Sequence, residues 1–415
     1  MNRYMTIPKE TFVYITILAV VMVSAMIREI NLLIILAGLM IGPLLVNWQV
    51  VRLTLGKMSC DRKIPDSLYP NEPFSVDLIV KNGRRRLDSW ALVIEDKFRW
   101  KGRVASSKKD EVRARAFIPN LKPGKLGMAS YRGGLARRGR YEVGPIKIST
   151  SVPLGLFKYT IVVPNSGDQI VVYPRLGVVT KRWHELVKVD QMGQRSTRRN
   201  QGQIEGDFYG LRDWRTGDSR RWIHWRSSAK RNELVVRQFE QNRNQNFVIL
   251  LNLQSEQTEL VEMAISFVAS VVVEHCRRHG GNLILGVGGG QVQFVKGSAS
   301  NAFIAEALEV LAVATNAVAD PMPELIETGM ASLSSDDRLV LVSTKPFDTQ
   351  DVTRFDHVAE DRQKRRAFNQ AINVDVTDHE FSKWFHFDET ETTQEVPTDV
   401  LQNGKGSVTR QVQPQ

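Results

Sequence analysis

Two apolar runs open the chain. Residues Thr11–Ile27 (TFVYITILAVVMVSAMI) carry no charge, and neither do Ile30–Val46 (INLLIILAGLMIGPLLV). Each reaches the ~17-residue lower limit for a helix that crosses a bilayer. Arg28-Glu29 between them suits a minimal polar turn. The pattern predicts a transmembrane helical hairpin over residues 11–46, behind a short N-terminal segment, 1–10. A signal peptide followed by a core helix would want a small-x-small cleavage site, which is not evident, and a second apolar run follows at once.

From about Lys57 to Arg175 the pattern changes to short runs with alternating or β-branched residues. FSVDLIVKN, WALVIEDKF, VRARAFI, RYEVGPIKIST and QIVVYPRL are separated by turn signals such as Lys81-Asn82-Gly83 and Lys122-Pro123-Gly124. Strands at this spacing, without helical stretches, predict an Ig-like β-sandwich over 57–175. Residues 176–245 then read as a connector. Its first part, Gly177–Gln203, is polar and aperiodic, contains Arg195, Arg198 and Arg199, and is expected to be an exposed, mobile loop.

The class of pattern changes again at Phe247. FVILLNL is continuously apolar, as a strand buried on both faces would be. Glu259–Arg278 is apolar at helical spacing and stops at Gly280-Gly281. NLILGV and QVQFV follow as strands, then a helical Ala302–Val313, the strand LVLVST, a helical Asp351–Arg365 and the strand INVDV. Such alternation predicts an α/β domain over 246–387. Residues 388–415 are polar and aperiodic and are expected to be disordered.

Charge refines this outline. The 415-residue chain carries a formal charge of +11, which favours an acidic partner surface. Lys81–Arg140 holds 18 basic and 5 acidic residues, so the excess sits in the β domain. An anionic membrane surface beside that domain fits a basic face, at about 1 kcal/mol per basic residue close to the bilayer. A nucleic-acid surface would want aromatics interleaved as a stacking platform, or a helix for the major groove, and neither is evident. Arg3 and Lys9 precede the first apolar run, and Arg52, Lys57, Arg62 and Lys63 follow the second. The positive-inside rule therefore places both termini and the soluble domains in the cytoplasm.

Chemistry concentrates in Glu205–Glu240, which has eight Arg/Lys, six Asp/Glu and three tryptophans. The residues in question are Gly206, Asp207, Phe208, Leu211, Arg212, Trp214, Gly217, Asp218, Arg221, Ile223, Trp225, Ala229, Lys230, Leu234, Val236 and Arg237. Together they resemble the signature of the DUF58 family, a domain of unknown function. Arg137–Pro145 and Pro153–Phe157 resemble the same family upstream, although Val152 stands where an acid is common. The resemblance implies a membrane protein with a von Willebrand factor A-like C-terminal domain. It also implies a partner, a MoxR-type AAA ATPase or another von Willebrand A-like protein.

A metal-binding domain of that type uses Asp-x-Ser-x-Ser after its first strand, where oxygen ligands suit a hard cation. Here Asn252, Gln254 and Glu256 occupy those places, so no metal site is expected. Gly286–Gly290 leads into a strand and not a helix, which favours a hairpin turn over a nucleotide loop. Neither Cys60 nor Cys276 suggests a disulfide, and His275 and His279 beside Cys276 read as packing or surface residues. His224, with Asp213, Asp218, Ser227 and Ser228 nearby, invites a hydrolase reading on envelope or phosphate-bearing substrates. It lacks a framed nucleophile, and the expectation is no catalytic residue and no cofactor.

The arginines read structurally. Asp218 is placed to cap a short helix from Ser219, on which Trp222, Trp225 and Ala229 would form one apolar face. Arg212 and Arg221 could then make forked hydrogen bonds to Asp207, Asp213 or Asp218. That would fasten the segment to the α/β domain through the strand Leu234–Phe239. Its exposed residues would form a docking surface, drawn from a set that includes Trp225, Lys230 and Arg237, with His224 read as half-buried.

Overall fold

The computed structural model describes residues 2–28, 30–102, 111–164, 167–194, 208–216, 218, 220–239, 247–278, 281–331, 337–346 and 368–387. The expected helix at 351–365 and the tail at 388–415 lie outside them, as do Gly206, Asp207 and Gly217 of the signature. The chain divides into two units: Met1–Arg175 with Leu308–Ala314 and Asp388–Gln415, and Leu176–Ala307 with Thr315–Phe387.

The first unit opens with a strand, β1 (Asn2–Thr6), where only a tail was expected. Helices α1 (Lys9–Arg28) and α2 (Asn31–Thr54) follow. Both are long and apolar enough to cross a membrane. Phe12, Val20, Met26, Leu32, Ile35 and Leu39 are each at least 60% exposed, far more contiguous apolar surface than water tolerates. α2 runs eight residues beyond the apolar limit at Val46. Its last turns bury Asn47, Val51 and Thr54.

Nine further strands complete the unit: β2 (Met58–Lys63), β3 (Phe74–Asn82), β4 (Ser89–Trp100), β5 (Glu111–Leu121), β6 (Leu126–Gly133), β7 (Gly139–Val143), β8 (Ile146–Thr150), β9 (Lys158–Val163) and β10 (Gln169–Val172). One sheet has the order β1-β9-β8-β4-β7-β10, with β5 also on β4; the other is β2-β3-β6. β4 is long enough to pair β8 with its first half and β7 with its second. That is why RYEVGPIKIST, one run in the sequence, is two strands broken at Gly144-Pro145. Residues of both sheets meet in one apolar core that includes Val76, Leu78, Leu92, Ile94, Phe98 and Ile148.

Inside that core lies a charge cluster. Asp96, fully buried, accepts from Arg62 Nη2 (2.5 Å), the Lys97 N–H (2.7 Å) and the Tyr131 hydroxyl (2.6 Å). Arg62 also donates to the Gly144 carbonyl (3.0 Å) and lies 5.9 Å from the Phe98 ring centre. Burial pushes the Tyr131 phenol well up. It also raises the neighbouring Cys60 thiol to about 12, partly offset by Arg62.

The second unit begins with β11 (Val178–Val179) and α3 (Lys181–Gln194). This corrects the expectation of a mobile loop from Gly177: Trp183 is buried, edge-on to Phe267, His184 Nε2 lies 3.1 Å from Glu274, and Arg338 donates to the Leu186 carbonyl, while Arg195, Arg198 and Arg199 lie outside the described residues. The element β12 (Phe208–Asp213), α4 (Trp225–Arg231) and β13 (Val235–Phe239) follows. Then come β14 (Phe247–Asn252), α5 (Thr258–Arg278), β15 (Asn282–Gly288), β16 (Val292–Ser298), α6 (Asn301–Val313), α7 (Met322–Ala331), β17 (Arg338–Ser343), β18 (Ile372–Asp375) and β19 (Phe385–His386).

The main sheet is β16-β15-β14-β17-β18, parallel except for the β15–β16 hairpin at its edge. Gly288–Gly290 belong to that hairpin, and a side chain at Gly289 would meet the Thr315 carbonyl at 2.4 Å. β14 is buried along its whole length. β19 pairs β11, and Phe381 and Phe385 pack edge-on against Phe267 of α5.

Candidate functional site

β12 and β13 form a two-stranded antiparallel sheet of their own, in register Arg212 to Val236 and Asp213 to Val235. The expected continuation of Leu234–Phe239 into the α/β sheet is therefore not seen. The ladder is prolonged by Trp214, whose N–H donates to the Leu234 carbonyl (2.7 Å).

Beyond it the chain turns at Arg215–Asp218, and here the forked bond anticipated for an arginine is present. Arg212 Nη1 and Nη2 each donate to one Asp218 oxygen at 2.7 Å. Asp218 Oδ2 also accepts from the Arg215 N–H (2.8 Å). The carboxylate hydrogen-bonded to it raises the Arg212 pKa further. Asp218 thus ties the turn to β12; Ser219, the expected start of the capped helix, lies outside the described residues.

The expected single helix is also corrected. Arg220–Trp222 is one turn of 3-10 helix, and the chain then returns to β13. Ile223 bridges Val236, and the His224 N–H donates to the Val235 carbonyl (2.8 Å). Helical spacing is broken at these two residues, so Trp222 and Trp225 do not share a face. α4 starts afresh at Trp225, with His224 as its N-cap: the Nδ1 accepts from the Ser227 N–H (3.2 Å) and lies 2.8 Å from the Ser227 hydroxyl. Accepting there leaves the proton of a neutral ring on Nε2. Ser228 fixes the helix to β13 by accepting from the Val235 N–H (3.0 Å). Asn232, in the left-handed conformation at φ 55°, ends it.

The core of this element is Ile223, Ser228, Val235 and Val236, all buried. Leu211, Arg212, Trp214, Asp218, Trp222, His224 and Ser227 are half-buried. Trp225 is 67% exposed, and Arg215, Arg220, Arg221, Arg226, Ala229, Lys230, Arg231, Leu234 and Arg237 are exposed with it. The only exposed acids among the described residues of the element are Asp213 and Glu233. The structure thus brings Arg212, Asp218, His224 and Ile223 together as a frame and leaves Trp225 exposed on an element that also exposes six arginines and Lys230.

As for catalysis, the Ser227 hydroxyl faces His224, but the same Nδ1 is occupied by a backbone N–H. Among the described residues no carboxylate orients the other nitrogen. At the end of β14, Asn252 is buried and its Oδ1 accepts from the Gln254 N–H (3.0 Å), while its carbonyl takes the Thr344 N–H (3.2 Å). Glu256 points to solvent. Among the described residues no group of three His, Cys, Asp or Glu could hold a metal ion. His275 stacks on Phe247 with ring centres 4.4 Å apart.

Residues 210–321, which begin within β12, match the family described as "Protein of unknown function DUF58". The match covers the site from Gly210 onward. No curated protein matches the chain. Among solved structures it is similar to the sporulation control protein Spo0M from Bacillus subtilis, at 19% identity and TM-score 0.17, covering 34% of this chain and 56% of that one. A β-glucosidase from Listeria innocua follows at 10% identity and TM-score 0.18, with 26% and 16% covered. One from Kluyveromyces marxianus has 14% identity and TM-score 0.16, with 28% and 14% covered. The chain thus spans little more than half of the first and far less of the others.

Proposed function

We propose that this chain is a membrane-anchored, non-enzymatic docking protein whose recognition surface is the outer face of the β12–α4–β13 element. The observation that carries the reading is Trp225, 67% exposed on an element that also exposes arginines and whose frame is tied by the Arg212–Asp218 fork. Trp and Arg are the residues that dominate binding energy at protein interfaces, and leaving an indole in water has no packing rationale. Charge complementarity asks for an acidic partner face. The family resemblance suggests a MoxR-type AAA ATPase for it.

The two sheets with a common core support an Ig-like sandwich for the first unit. The parallel sheet with one antiparallel edge strand supports a von Willebrand A-like domain for the second. Helices α1 and α2 are the anchor. β1 and β9 share a sheet, so the segment before the hairpin and the β domain after it lie on one side of the bilayer. The basic flanks make that side the cytoplasm.

Co-purification from detergent tests the reading. An ATPase should be recovered with the native chain, its turnover responding to the chain's addition. Trp225→Ala should weaken capture by at least tenfold, the ~1.4 kcal/mol of a modest hot spot, with unchanged folding. Arg212→Lys, which cannot make the fork, should weaken it less. Equal capture by both variants and the native chain would place recognition elsewhere.

A further inference from the structure

The β domain is fastened to the helical hairpin at specific heights. The Thr11 hydroxyl, fully buried on α1, donates to the Leu156 carbonyl. Asn47, fully buried on α2, faces the same loop. With its amide oriented to satisfy both ends, its oxygen accepts from the N–H groups of Leu156 (3.1 Å) and Phe157 (3.2 Å). These two polar residues are where the apolar runs of both helices end. The loop Pro153–Phe157 therefore lies at the hydrocarbon boundary, and Leu154 at its tip is 52% exposed.

A second loop sits farther out from the hydrocarbon. Arg84, its pKa lowered by burial, donates to the Leu53 carbonyl at the end of α2 (2.6 Å) and to the Asp88 carbonyl (3.1 Å). The Ser89 hydroxyl donates to the Thr54 carbonyl (3.1 Å). Leu53 is six residues past Asn47, about 9 Å along a helix at 1.5 Å per residue. The headgroup layer extends roughly 5–7 Å beyond the hydrocarbon. This height puts Arg85 and Arg86, both exposed, roughly 2–4 Å outside it, a gap that an arginine side chain spans back to the phosphates, beside the exposed Leu87 and Trp90.

We propose that this end of the β domain is an interfacial lipid-binding surface: Leu154 enters the acyl boundary while Arg85 and Arg86 bind the phosphates of anionic phospholipids in the same leaflet. The inference rests on α1 and α2 spanning the bilayer. Its support is the continuity of the apolar surface from helices to loop and the layering of aliphatic, then basic residues with depth. That is the order of the bilayer's own acyl and phosphate layers. A domain on a flexible tether would need no such order; here the tether is bonded to the domain at both helices.

The experiment uses the full chain with Cys276→Ser, in phosphatidylcholine vesicles with and without phosphatidylglycerol. Cys60, buried with its thiol pushed up to about 12, stays unlabelled. A single environment-sensitive label is placed by Leu154→Cys, Val20→Cys or Arg113→Cys. Arg113 lies eight β5 residues from Leu121, which pairs Ser89, and so roughly 26 Å from the helix end at 3.3 Å per residue.

Lipids carrying a quencher near the carbonyls should quench the label at 154 and leave that at 113 bright. Phosphatidylglycerol should increase the quenching at 154, and Arg85→Gln/Arg86→Gln should abolish that increase. A label at 154 as bright as that at 113, while one at Val20 is quenched by deep quenchers, overturns the proposal and leaves the anchor standing. A bright label at Val20 overturns both.

Discussion

The buried cluster in the β domain gives the sharpest quantitative test. Asp96→Ala removes the sole carboxylate shown bonded to Arg62. The guanidinium is then left with the Gly144 carbonyl at 3.0 Å and the Phe98 ring at 5.9 Å, while its side chain remains 7% exposed. Breaking a buried pair from one side costs about 3–5 kcal/mol, because the surviving charge is desolvated and uncompensated. Against a total stability of about 5–15 kcal/mol, that is enough to leave the domain marginal.

The cost is a penalty on the orphan, and the pair itself need not stabilise. Replacing the cluster by apolar groups, in Arg62→Met/Asp96→Leu/Tyr131→Phe, should return stability to within about 1 kcal/mol of the native value. Urea unfolding of the detergent-solubilised full chain, followed by tryptophan fluorescence from Trp90 and Trp100 of β4, gives both numbers. A loss below about 1 kcal/mol for Asp96→Ala, or a triple variant no better than the single, would refute the account.

Two further outcomes follow from neighbouring groups. The Cys60 thiol is raised in the folded state from 9 to about 12 by burial, so its contribution to stability is fully present below 9 and is lost as pH rises towards about 12. One group contributes a slope of at most about 1.4 kcal/mol per pH unit there; Cys60→Val should flatten the alkaline decline in urea midpoint, and identical slopes would exclude the thiol as a cause. At α4, His224→Ala should cost about 1 kcal/mol of local stability and His224→Asn much less, read as roughly fivefold faster hydrogen exchange at the Ser227 amide for the alanine variant alone; equal exchange in both would remove His224 as the cap.

Much of the fold was legible because alternation survives in strands with one buried face. β3 coincides with FSVDLIVKN, and β14 and β15 follow their apolar runs to within a residue. Strands lacking apolar alternation were not. β2, MSCDRK, hides Arg62 on its inward face after Met58 and Cys60, and a charge there reads as solvent-facing. The buried cluster itself was within reach. Leu92, Ile94, Asp96 and Phe98 share one parity on β4, and a carboxylate at an inward position demands a partner.

At the site, residue chemistry called for a forked arginine–carboxylate pair and left the partner open among Asp207, Asp213 and Asp218; the structure pairs Arg212 with Asp218. The break at Ile223-His224 did not, since it is imposed by β13, twelve residues downstream of the break and invisible to a helical-spacing argument. α3 was missed for the opposite reason: one buried tryptophan is too little periodicity to register.

The pairing of β1 with β9 also bears on how the molecule is made. β1 precedes the helical hairpin in the chain, yet its partner strand begins at Lys158. At about 5–20 residues per second of synthesis, that is a wait of roughly 10–30 s. During that interval α1 and α2 can enter the bilayer with β1 unpaired. The strand can join its sheet only after β9 is made, and on the proposed anchoring only if the hairpin has returned the chain to the side it left. On the proposed anchoring, closure of that edge is a check on topology: a chain inserted with one span instead of two would leave β9 open.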